Sequence, residues 1–111
     1  MFCQIANGVI AVTPVYEDDL VFAFDDISPQ APVHTLIVPK AHHASIGDAV
    51  PADVMAALFC AVPKVAARKG VAESGYRVIV NNGRDARQSV DHLHVHVLGG
   101  TAMSHHMVEQ D

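Results

Sequence analysis

Positive charge is scarce in this sequence. Seven lysines and arginines stand against twelve aspartates and glutamates, a formal net charge of −5 with histidine neutral. A nucleic-acid backbone is therefore a poor main partner. A single nucleotide stays within reach, because backbone N–H groups, hydroxyls and imidazoles can hold a phosphate. No run of 18 apolar residues exists for a membrane helix, and the first residues lack the basic-then-apolar pattern of a secretory leader. No membrane partner is expected. Cysteine is limited to Cys3 and Cys60, which suggest no disulfide framework; a reduced, cytoplasmic setting is expected. Position 6 is Ala, so no Cys-x-x-Cys pair exists and Cys3 reads as packing rather than ligation. Charged residues make up only 17% of the chain and hydrophobic ones 50%. At 111 residues this describes one domain with a modest core, whose limited polar surface suggests a face shared with a second copy.

Chemistry concentrates in Asp91-His92-Leu93-His94-Val95-His96-Val97-Leu98-Gly99-Gly100. Histidine and apolar residues alternate strictly. A β-strand turns successive side chains to opposite faces, so His92, His94 and His96 share one face and Leu93, Val95 and Val97 enter a core. Imidazoles two strand steps apart start roughly 6.6 Å from one another, close enough for all three to touch one small ligand. Three readings fit: a solvated polar face, a metal site built on a His-x-His pair, or nucleophilic catalysis with one imidazole attacking while its neighbours orient it and move protons. Spacing does not separate the last two. Gly99-Gly100 ends the strand where the backbone can turn.

Upstream, Phe2 to Ala6 is a short apolar patch closed by an Asn7-Gly8 turn signal. Val12 to Glu17 reads as a strand edged by Pro14, Glu17-Asp18-Asp19 as a solvated acidic turn, and Leu20 to Phe24 as a central strand. In Asp26-Ile27-Ser28-Pro29-Gln30-Ala31-Pro32 two prolines hold a loop rigid and extended. Such a loop makes a good ligand wall, since little entropy is lost on binding. Asp26 either accepts from a pair of sugar hydroxyls or caps a loop N–H. Val33 to Val38 is a further strand with His34, Leu36 and Val38 on one side. Pro51 to about Arg68 is the long helix, with Val54, Leu58, Val62 and Val65 as its buried stripe and Cys60 expected in the core. Pro63 costs it about 3 kcal/mol and implies a kink; Gly70 stops it. Gly75 to Asn81 is another strand, joined to the histidine strand by a polar loop. That loop delivers Gln88 and Ser89 as an amide, a hydroxyl and backbone N–H groups, the equipment for phosphate oxygens.

The segment His92-Leu93-His94-Val95-His96-Val97-Leu98 matches the His-x-His-x-His-x-x signature, x hydrophobic, of the histidine triad superfamily. Asp26-Ile27-Ser28-Pro29, His34, Pro39-Lys40, Gly75-Tyr76-Arg77, Asn81, Gly83, Gln88-Ser89-Val90 and Gly99-Gly100 extend the likeness over residues 2 to 103. In these features the chain resembles the Hint branch, the histidine triad nucleotide-binding proteins. That resemblance implies an α+β fold: a five-stranded antiparallel sheet with one long and one short helix, in a homodimer whose two sheets are continuous. The domain is expected over residues 1–103, with residues 104–111 as a C-terminal tail.

The resemblance further implies a purine nucleoside phosphoramidase acting on purine nucleotide substrates, with no cofactor and no metal. His94 is then the nucleophile, His96 and Ser89 assist at the phosphate and the leaving amine, and His92 supports them with His42. His34 borders the phosphate, Asp26 holds the ribose, and Phe2, Ile5, Phe24 and Ile27 hold the base. Asn81 and Gln88 take the phosphate side. The alternatives are a nucleotide-binding adaptor with weak catalysis and a dinucleoside polyphosphate hydrolase. Three departures from the Hint pattern stand out: Arg87 where Gly is frequent, Asp91 where Tyr is frequent, and a tail, Ser104 to Asp111, without the Trp-Pro-Pro-Gly ending. The last puts leaving-group preference in question. His105-His106 in that tail reads as disordered rather than as a metal site.

Overall fold

Mostly apolar stretches of four to seven residues supply four of the strands, and one Ala-rich run supplies the long helix. The computed structural model describes residues 2–6, 8 and 11–108. They form helix α1 (Phe2–Ala6), strands β1 (Tyr16–Glu17), β2 (Val21–Asp25) and β3 (Val33–Pro39), helix α2 (Ala52–Arg68), and strands β4 (Tyr76–Ile79) and β5 (Val95–Gly99). The strands make one antiparallel sheet in the order β1-β2-β3-β5-β4. This is the five-stranded sheet with one long and one short helix expected above. Asn7, the packing of Cys3 and the tail residues 109–111 lie outside what is described.

Strand alternation divides the hydrophobic residues into two cores, one on each face of the sheet. Val21, Ala23, Ile37, Val95 and Val97 pack against Val54, Leu58, Val62 and Val65 of α2. The opposite face gathers Phe22, Phe24, Leu36 and Val38 with Phe2 and Ile5 of α1. Leu93 belongs to the α2 side, so the histidines between these apolar residues are turned to the α1 side. All four expected stripe residues of α2 are buried.

Several local expectations are corrected. Cys60 is exposed: two positions from Leu58 is about 200° around a helix, the far side from the stripe. Pro63 lies inside an uninterrupted α2, and Pro51 sits at the N-cap rather than in the first turn. Pro63 and Phe59, whose carbonyl loses its helical donor, are both exposed, so the missing hydrogen bond falls on the solvent side. β1 is only two residues long, beginning after Pro14. The acidic turn is more than solvated: Asp18 Oδ1 accepts from the N–H groups of Leu20 and Val21, both at 2.9 Å, and sets the start of β2. Gly99 and Gly100 have separate duties. Gly100 turns the chain at φ +86°. Gly99 stays in the strand, where a Cβ would meet Val71 Cγ1 at 2.9 Å.

Candidate active site

Register brings the histidines together. Leu36 of β3 faces His96 of β5, and His34 faces Leu98, which makes His34 and His96 diagonal neighbours on one face. Their side chains touch, His34 Nε2 lying 2.8 Å from His96 Nδ1. His94 precedes β5 with its ring 4.9 Å from that of His96. Phe2 packs edge-on against His94 at 5.1 Å and against His92 at 6.0 Å, so the short helix clamps the row from one side. His42, expected to support His92, sets its ring 5.0 Å from it, edge to face.

Hydrogen bonds assign the tautomers. His94 Nδ1 lies 2.7 Å from the backbone oxygen of His92. A carbonyl can only accept, so Nδ1 carries the proton and the neutral ring keeps its lone pair on Nε2. His92 Nε2 donates in the same way to the Pro39 carbonyl at 3.1 Å. His92 is buried and does not line the cavity beside the row; it acts on His94 through its backbone oxygen. Burial, above all, lowers the pKa of His92, with the hydrogen bond to Pro39 opposing and His42 and His94 assisting. Burial also dominates at His96, helped by His94 and His34 and opposed by Asp26, and lowers its pKa to about 4. His96 is therefore a neutral imidazole at pH 7.

A cavity of about 490 Å³ opens over this row, within the range of small-ligand sites. Phe2, Ile5, Phe24, Asp26, Ile27, His34, Ser89, His94 and His96 line it, nine of the residues singled out from the sequence. Val12, Leu36 and Val90 complete the apolar wall. Leu36 was legible, since it shares the parity of His34; Val12 and Val90 come from irregular segments that carry no period. Of the two roles considered for Asp26, the structure shows the loop cap. Asp26 Oδ1 accepts from the Ser28 N–H at 2.8 Å, while Oδ2 lies 3.5 Å from His34 Nε2 at the polar end of the cavity.

Two expected residues sit elsewhere. Asn81 follows β4 outside the cavity lining. Gln88 braces the loop instead of facing the cavity. Its Oε1 accepts from the Gly83 N–H at 3.0 Å, and its Nε2 donates to the carbonyls of Ala44 and Val90 at 2.7 and 2.9 Å. With all three contacts made, Gln88 holds Ser89 and Val90 in place. Arg87 in the same loop is exposed with φ +59°, a left-handed conformation that glycine adopts without cost. That accounts for Gly being frequent at this position in the Hint pattern.

The HIT domain matches residues 7–103, and the chain belongs to the HIT family. It is 42% identical over 102 residues to the purine nucleoside phosphoramidase of Escherichia coli (strain K12), covering 90% of this chain and 86% of that protein. The solved HIT family hydrolase from Clostridium thermocellum is similar at TM-score 0.91 and 43% identity, over 96% of this chain and 95% of that one. The histidine triad nucleotide-binding protein from Candida albicans matches at TM-score 0.80 and 32% identity, over 93% and 83%. Among the described residues no helix is long and apolar enough to cross a membrane.

The depressed His96 pKa has a thermodynamic consequence. The unfolded chain takes up a proton near the ordinary histidine value of 6.5 that the folded site refuses until about 4. Stability is full above 6.5 and declines as pH falls toward 4. The melting temperature should drop between pH 7.5 and pH 5, and His96→Gln should reduce that drop. An identical drop in the variant would contradict the buried, neutral His96.

Proposed function

We propose that this protein is a purine nucleoside phosphoramidase, hydrolysing the P–N bond of nucleoside 5′-phosphoramidates to a nucleoside monophosphate and an amine. The observation that carries the reading is the pinned tautomer of His94, which leaves an Nε2 lone pair on a ring lining a cavity of nucleotide size. The name of the Escherichia coli relative supports it. In the first step His94 Nε2 attacks the α-phosphorus, and the P–N bond breaks with its electron pair going to the amine, which takes up a proton. In the second, water attacks the nucleotidyl-histidine, loses a proton, and returns His94 to its neutral form.

His96 contacts the phosphate and assists proton delivery to the amine, with Ser89 helping. A phosphate anion seated beside His96 raises the low pKa of that ring, so its basicity appears when substrate is present. The apolar end of the cavity, with Phe2, Ile5, Phe24 and Ile27, takes the base. Asp26 takes the ribose hydroxyls. No step calls on a metal or a cofactor, consistent with the missing Cys-x-x-Cys pair. We also read the protein as a homodimer whose two sheets are continuous. β4 is a sheet edge with Tyr76 and Val78 more than a third exposed, surface that a second copy would cover. Light scattering should give twice 11.8 kDa; a monomer mass would exclude this assembly.

His94→Ala should lower adenosine phosphoramidate turnover by a factor of at least about 10³, while nucleoside monophosphate binding, read by calorimetry, changes little. Turnover above a few per cent would remove His94 from the attacking role. A dinucleoside polyphosphate run in the same panel should be the poorer substrate; the reverse order would favour the polyphosphate hydrolase reading. Asp26→Ala should weaken binding of ribonucleotides more than that of 2′-deoxyribonucleotides. Equal losses for both would contradict the ribose assignment.

A further inference from the structure

One polar array in the cavity wall runs from the Pro29–Pro32 loop through His34 to His96. The backbone N–H of Gln30, in the rigid Pro29–Pro32 loop, donates to His34 Nδ1 at 3.0 Å. An imidazole nitrogen that accepts carries no proton, so neutral His34 bears its proton on Nε2. That Nε2 lies 2.8 Å from His96 Nδ1. If His96 also carried its proton on Nδ1, two N–H groups would oppose each other at contact distance. His96 Nδ1 must therefore accept, and its proton sits on Nε2. Each nitrogen in the row dictates the next, beginning from a peptide group that cannot change its role.

We propose that Gln30, through its backbone N–H, and His34 are positioning residues that hold His96 in the Nε2–H tautomer, opposite to that of His94. The two adjacent rings then divide the work: His94 offers a lone pair and His96 offers a proton to the same bound phosphate. Neighbouring histidines in the same tautomer would offer either two lone pairs or two donors. The functional half of this inference rests on the phosphoramidase reading; the tautomer half is a property of the free protein.

The same atoms suggest a competing use. Asp26, His34 and His96 each present a ligand atom within 4.8 Å of the others, a spacing that one zinc ion could bridge. Zinc at this point needs the lone pair of His34 Nε2, which is the protonated nitrogen. Freeing it would move the proton to Nδ1 and break the hydrogen bond from the Gln30 N–H. The amide biases the cluster toward protons and against a metal.

The test is the nitrogen-15 spectrum of the imidazole rings in the full-length protein, without nucleotide, at pH 7.5. His34 and His96 should both show a protonated Nε2 and a bare Nδ1, and His94 the reverse. Equimolar zinc should leave the His34 and His96 signals unchanged. His96 protonated on Nδ1, or His34 signals shifted by zinc to a metal-bound Nε2, would overturn the proposal. Two variants carry it to function. In His34→Gln the side-chain oxygen can accept from the Gln30 N–H and the amide can donate to His96. It should keep the His96 tautomer and hold kcat within about tenfold. His34→Leu removes the donor and should lower kcat about 100-fold with KM little changed, while His96 becomes a mixture of tautomers. Equal kcat losses in both variants with an unaltered His96 tautomer would reduce His34 to a packing residue. The expected tautomers without phosphoramidate turnover would fail the phosphoramidase reading alone. Turnover with His96 protonated on Nδ1 would fail this inference alone.

Discussion

The hydrogen bond from His94 Nδ1 to the His92 carbonyl, 2.7 Å long, is the contact on which the site depends. Imidazole exchanges its proton between two nitrogens at little cost, so a free histidine presents a mixture of donors and acceptors. Only a partner with a fixed role removes that freedom. Here the partner is a peptide carbonyl two residues back in the same chain, and it holds its place because the His92 side chain is itself buried and bonded to Pro39. The lone pair of His94 Nε2 is a consequence of backbone geometry, and it survives as long as the segment leading into β5 stays extended.

The sheet supplies the rest through its two faces. On one, α2 covers Val21, Ile37, Val95 and Val97 and gives the strands a rigid backing. On the other, the apolar residues stop short of closing the surface, and the gap becomes the cavity. Its walls grade from Phe2, Ile5 and Phe24 to Asp26, His34 and His96, from a surface suited to a flat base to one suited to sugar and phosphate. Burial in such a place raises the cost of charging His92 and His96. The low pKa of His96, caused first by burial, keeps that ring neutral until an anion arrives.

Much of this was legible before any coordinates. Period-two alternation from His92 to Leu98 fixes which residues face the core, and the same rule puts His34, Leu36 and Val38 on one side of their own strand. Stripe spacing fixed the buried side of α2. The errors have physical causes. Cys60 was assigned by residue type when its angular position put it outside. The position of Gln88 just before the histidines suggests a phosphate ligand, yet its side-chain amide is occupied by Gly83, Val90 and the Ala44 carbonyl. Asp18, taken as solvated, caps two backbone N–H groups. The register that sets His34 beside His96 has no local signature, since it arises from strands about sixty residues apart. The tautomer row starting at Gln30 was invisible for the same reason.

The account stands or falls on where a covalent bond forms. Rapid acid-free quenching of steady-state turnover with a radiolabelled adenosine phosphoramidate, followed by peptide mapping, addresses it directly. Label should be found as a nucleotidyl adduct on the peptide containing His94, attached through Nε2. Label on His96 or another residue, or no adduct while product accumulates steadily, would contradict the account.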